Sequence, residues 1–68
     1  MTKNQFIKEL AELRVRVGIM KSKIDDDLVS LALLDEMDEN QKEKYEWLTD
    51  ADFEFDIFIN SLNELLKK

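Results

Sequence analysis

From Phe6 onward, the apolar residues Phe6, Leu10, Leu13, Val17, Met20 and Ile24 recur at spacings of 4, 3, 4, 3 and 4. That heptad stripe lines up along one face of an α-helix, whereas on a strand it would scatter over both faces. Thr2 is of the residue type that caps such a helix. Leu28 and Leu31 continue the stripe after a shift of one residue, which marks a stutter or a break near Asp25–Asp27. A rival pattern runs from Leu13 to Ile19, where apolar and polar residues alternate as in a strand. No second alternating run offers that strand a partner, so a helix is expected. Gly18 weakens it by about 1 kcal/mol relative to Ala and leaves room for another backbone to approach.

With no Pro and a single Gly, turns fall to Asp, Asn, Ser and Thr. Three stretches qualify: Ser22 to Asp27, Asp38 to Asn40, and Thr49–Asp50. Between the first two, Leu28 to Met37 is apolar over a wide arc, which predicts burial on more than one side. Asn40 with Glu43 three residues later forms a candidate capping box. Beyond it, Tyr45, Leu48, Phe55, Phe58, Leu62 and Leu65 return at helical spacing. Thr49, followed by Asp50 and Asp52, resembles a fresh helix start. Lys67 and Lys68 stand where cations favour a helix end.

The expected fold is therefore all-α, in one domain covering residues 1–68. It is an antiparallel helical hairpin or a small three-helix bundle. A first segment spans residues 3–37, with a break near Asp25 as an option. The returning segment spans 41–66, with an option at Thr49. Sixty-eight residues bury about 60% of their unfolded surface, which leaves a solitary core marginal. Such chains lean on disulfides, metals or partner subunits, and without Cys or His the first route and the usual metal ligands are closed. Surplus apolar residues Val15, Ile19, Trp47, Phe53 and Ile57 then predict a homodimer or a partner contact. Trp47, turned away from the face shared by Tyr45 and Leu48, serves either as a partner anchor or as a lid over the core.

Charge divides along the chain. Residues 1–24 carry six cations against Glu9 and Glu12, a net of +4. Residues 25–56 carry thirteen carboxylates against Lys42 and Lys44, a net of −11. Residues 57–68 contribute +1, giving the overall −6. In an antiparallel pairing the basic first segment is expected to lie beside the acidic returning one.

Little here suggests catalysis. Acid–base chemistry needs a pocket that perturbs carboxylates, nucleophilic catalysis needs a paired base, and a phosphate loop needs more than one Gly. No enzymatic activity, cofactor or small-molecule substrate is expected. Asp50-x-Asp52-x-Glu54-x-Asp56 imitates the start of a calcium loop, but Phe55 and Ser61 occupy the positions of its Gly and its bidentate Glu. Asp25-Asp26-Asp27 do not converge on a helix and read as a turn or cap cluster. The basic residues are spread around the first helix, and the net charge opposes nucleic-acid binding. No segment is apolar enough to span a bilayer or act as a signal core, so a cytoplasmic protein is expected.

What remains is a noncatalytic interaction or regulatory protein that binds a partner protein through apolar and acidic faces. The alternative is a nucleic-acid mimic that blocks a basic host or defence protein. Usage rich in Lys, Asn, Asp, Ile and Phe, common in AT-rich phage and plasmid genomes, accompanies that alternative. The candidate acidic face comprises Asp35, Asp38, Glu39, Glu43, Asp50 and Glu54. Clustering of these on one exposed face favours mimicry, whereas pairing with Arg14 and Arg16 favours a plain interaction module.

Overall fold

The computed structural model describes Met1–Lys68 as two helices and no strand, α1 (Lys3–Ala32) and α2 (Glu39–Leu66), joined by residues 33–38. The helices run antiparallel, as contacts of Arg14 with Asn63 and of Lys21 with Asp52 require. The result is a hairpin, and the three-helix option is corrected. Measuring 51 × 16 × 15 Å with a radius of gyration of 15.6 Å, it is a rod. A compact chain of this length would have a radius near 11 Å. Neither helix is long and apolar enough to cross a membrane.

Both helices begin with reciprocal caps. Thr2 Oγ1 accepts from the Gln5 amide at 3.2 Å, and Gln5 Oε1 accepts from the Thr2 amide at 2.6 Å. Asp38 and Gln41 repeat the exchange at 2.8 and 3.0 Å. The second box therefore lies two residues earlier than the Asn40–Glu43 pair the sequence suggested. Asp38, a carboxylate, serves as the cap and Glu39 supplies first-turn negative charge.

Neither suggested break occurs. Ser22 to Asp27 is helical because its acids find partners from within a helix. Asp25 takes Lys21 one turn back at 3.0 Å, and Asp27 faces Lys44 of α2 at 3.4 Å. Thr49 does not start a helix either. Its hydroxyl donates to the Tyr45 carbonyl at 2.8 Å, the back-bond that Thr makes inside a helix. Leu13–Ile19, the rival strand, lies within α1. The first segment ends at Ala32 rather than residue 37, so only part of the apolar stretch from Leu28 is helical.

The heptad stripe of α1 resolves into two seams, each repeating every seven residues. Leu10, Val17, Ile24 and Leu31 face α2, with the last three buried. Their steps are all seven, so the seam passes Asp25 without a stutter. On α2, Leu48, Phe55 and Leu62 repeat the same step and form the opposing seam. Only Val17, Ile24, Leu31, Leu48 and Leu62 are buried. At roughly 1.5–3 kcal/mol for each fully buried aliphatic side chain, this is a thin core. Gly18 has open space where a Cβ would project, with nothing within 4 Å. The close backbone approach expected there does not occur within the chain.

Candidate protein-docking surface

A pair of helices has two flanks, and here they differ in chemistry. On one flank, polar side chains bridge the helices. Arg14 Nε donates to Asn63 Oδ1, and Lys21 Nζ reaches Asp25, Asp52 and Asp56 at 3.0, 3.2 and 3.4 Å. Hydrogen bonding to Asp25, then to Asp52, holds Lys21 charged well above the ordinary lysine range. A hydrogen bond shared with Asp25, together with partial burial, pushes the Asp52 carboxyl up. The same contact and Lys21 pull Asp25 down. Asp52 Oδ1 is shielded from solvent and lies near the ammonium, yet accepts no well-aligned hydrogen bond. One cation thus serves three carboxylates imperfectly.

The other flank is largely apolar and open, bridged only toward the turn by the Asp27–Lys44 ion pair at 3.4 Å. Phe6, Leu13 and Met20 step by seven residues along α1 and are exposed, Phe6 at 53%. Phe58 and Leu65 do the same on α2, and Trp47, eleven residues before Phe58 and so within about 20° of it, is 66% exposed. Met20 and Trp47 line one shallow depression floored by Ile24, Leu48 and Phe55. Trp47 and Phe58 share a second with Ala51 and Phe55, and Phe6 and Leu65 line a third farther from the turn. The sequence stripe had merged this seam with the buried one. The seven-residue step from Phe6 to Met20 was the signal that separates them.

The anticipated dimer residues do not form one patch. By helical phase, at about 100° per residue, Val15 and Ile19 fall on the outward side of α1, roughly opposite Val17 and Ile24. Phe53 and Ile57 fall on the outward side of α2, roughly opposite Leu48. All four are exposed, but only Trp47 of the predicted set lies on the open flank.

The acids fare differently. Glu39, Glu43, Asp50 and Glu54, joined by Glu46, recur at steps of 4, 3, 4 and 4 and are all exposed. That phase puts them in a stripe along the side of α2 facing away from α1. Asp35 sits in the exposed turn, and Asp38 is spent on capping. No ion pair engages Arg14 or Arg16, and of the basic first segment only Lys21 pairs with acids of α2. The expected lateral neutralisation is thus largely absent. Because the chain doubles back near residue 35, residues 25–56 fold upon themselves, and the charge split of the sequence becomes a split along the rod. The half nearer the turn, residues 18–57, includes Lys21 and Lys23 and carries −9, and the distal half, residues 1–17 and 58–68, carries +2 and +1.

No protein-family model, curated protein or solved structure matches this chain, so the functional reading proceeds from its own geometry.

Proposed function

We propose that this protein is a noncatalytic binding module that regulates a partner protein by docking onto it. The observation that carries the reading is the open apolar flank beside a strongly acidic half-rod. Monomeric proteins seldom expose contiguous apolar seams of this kind, and Trp and Phe are the side chains that dominate protein-binding energetics. The absence of His and Cys leaves the exposed acids without the partners that most acid–base or nucleophilic sites use. A cytoplasmic setting and the capacity to self-associate belong to the same proposal.

A second reading, a nucleic-acid mimic that occupies a basic groove, is favoured by the acid stripe. Residues 39–56 rise about 27 Å along α2, and the turn half, with Lys21 and Lys23 included, packs a net −9 into about that length. One charge per roughly 3 Å lies between a single nucleic-acid strand and a duplex, at 3.4 and 1.7 Å per phosphate.

Capture from host extract with three baits tests both readings: the native chain, Trp47→Glu, and a chain with Glu43, Glu46 and Asp50 changed to Gln, Gln and Asn. A protein held by the native bait and lost by Trp47→Glu supports the module. One held equally by all three baits refutes it. Mimicry further requires that the captured protein bind DNA or RNA, that the native chain displace that ligand, and that displacement fade with salt and with the triple change. A captured protein whose nucleic-acid binding is untouched removes the second reading.

A further inference from the structure

We propose that the open flank is covered by a second copy of this chain, packed antiparallel and flank to flank, so that two hairpins complete a four-helix bundle. This rests on the reading of that flank as a protein-docking surface, and it names one occupant. Three observations support it.

The first is shape. The broad face of the rod, 51 × 16 Å, projects about 800 Å², the area each partner contributes to a standard protein interface. The second is pattern. Phe6, Leu13 and Met20 on α1, with Phe58 and Leu65 on α2, repeat every seven residues parallel to the buried seams. That is the arrangement by which a helix in a four-helix bundle meets two neighbours rather than one. A two-fold axis across the flank matches such a surface to itself.

The third is charge, and it selects the direction. With the rods antiparallel, the +3 distal half of each copy lies over the −9 turn half of the other. With the rods parallel, the two −9 halves lie side by side. At physiological ionic strength charges interact over about 8 Å, so the facing halves decide the preference and the opposite ends of a 51 Å rod do not. The acid stripes of α2 face away from α1, with Glu54 at the edge of the apolar flank beside Trp47 and Phe58. Each dimer then carries two acidic surfaces near opposite ends, a bivalent arrangement for a partner with two basic sites.

The chain has no Cys, so Glu36→Cys, in the exposed turn, takes a single spin label. The expected results are a solution mass twice the 8.1 kDa chain and a label separation close to the 51 Å rod length. Met20→Glu and Trp47→Glu, both exposed in the single copy, should halve the mass while leaving helical circular dichroism in place. Val15→Glu and Phe53→Glu, on the outward sides, should leave the dimer intact. A mass of one chain at every concentration overturns the proposal, as does a dimer whose labels sit near the 16 Å rod width. If Trp47→Glu abolishes capture of a heterologous protein while the native chain stays monomeric, the docking surface stands and the second copy alone is rejected. If Trp47→Glu changes neither mass nor capture, both fall.

Discussion

The two flanks of the hairpin are built from residues of the same helices, yet one is closed and the other is not. On the closed flank, Lys21 and Arg14 reach across to Asp52, Asp56 and Asn63. Directional contacts of this kind favour one axial register, because Arg14 meets a single acceptor and Lys21 sits between two that are one turn apart. On the open flank, Phe6 and Leu65 share one shallow depression, Met20 and Trp47 another, and Trp47 and Phe58 a third, while Leu13 is exposed. Those side chains are apolar, so they set no register and retain unburied surface. The comparison teaches a division of labour: polar bridges specify the hairpin, and the thin seam between the flanks supplies most of its stability. The open flank holds apolar area in reserve for association.

The sharpest way to break that division is to truncate equivalent apolar residues in the two seams. Leu48→Ala, at a position 6% exposed, should cost about 2–5 kcal/mol. That is a large fraction of what a five-residue core supplies, and helical circular dichroism at 25 °C should collapse. Phe58→Ala, 42% exposed, should cost a single copy less than about 1 kcal/mol and instead weaken association. Equal losses of helicity from the two changes would show that the open flank is core after all.

The polar flank is tested next. Asn63→Ala removes the acceptor of Arg14 and should cost about 1 kcal/mol, read as a lower denaturant midpoint with an unchanged slope. Lys21→Met leaves Asp25, Asp52 and Asp56 facing one another without their cation, so its melting temperature should fall at neutral pH and recover in mild acid. If Lys21→Met melts like the native chain at pH 7, the three-carboxylate cluster contributes nothing and the asymmetry between flanks is one of packing alone.

Much of this architecture was legible in the chain and some was not. The helical class followed from the 4–3 spacing of Phe6 to Ile24, and the Thr2 cap from residue type alone. Helix continuity through Asp25–Asp27 was hidden because it rests on Ile24 and Leu31 packing against Leu48 of α2, a contact made only after folding, as is that of Asp27 with Lys44. Thr49 resembles a cap because Thr takes either role, and its back-bond to Tyr45 is available only because the helix runs on through it. Among candidate site residues, the acids Glu39, Glu43, Asp50 and Glu54 share a face because one-helix periodicity governs them. Val15, Ile19, Phe53 and Ile57 could not be grouped from sequence, since their relation depends on how two helices face each other. Trp47 was read as outward from its phase relative to Tyr45 and Leu48, and it lies outward.

Proton linkage sharpens the polar flank further. The Asp52 carboxyl, raised by Asp25 and burial, favours its protonated form in the fold. Its contribution is therefore full below the ordinary carboxylate value near 3.9 and declines as pH rises through the raised value. Asp25, held low, acts oppositely: its contribution is present above the ordinary value and lost as pH falls through the depressed one. Lys21, held high, stays charged throughout this range and changes nothing until strongly alkaline pH. Stability should thus rise from pH 7 toward mild acid before Asp25 protonates. Asp52→Asn should flatten that rise and gain up to about 1 kcal/mol at neutral pH. Parallel melting curves for the two chains between pH 7 and pH 4 would show that Asp25 and Asp52 share no proton.

The smallest effect concerns Gly18, which sits in α1 with open space around the missing Cβ. Ala in its place should stabilise a single copy by about 0.5–1 kcal/mol, because Gly is a poor helix residue and nothing within the hairpin obstructs a methyl group. By helical phase, Gly18 lies toward the same side as Arg14 and Asp25 rather than toward Leu13 and Met20. A second copy seated on the apolar flank therefore leaves it uncovered, and Gly18→Ala should raise the melting temperature without changing the dimer's dissociation constant. A substitution that strengthens the helix yet weakens association would place a partner's backbone against Gly18. The interface would then have to be moved from the open flank to the bridged one.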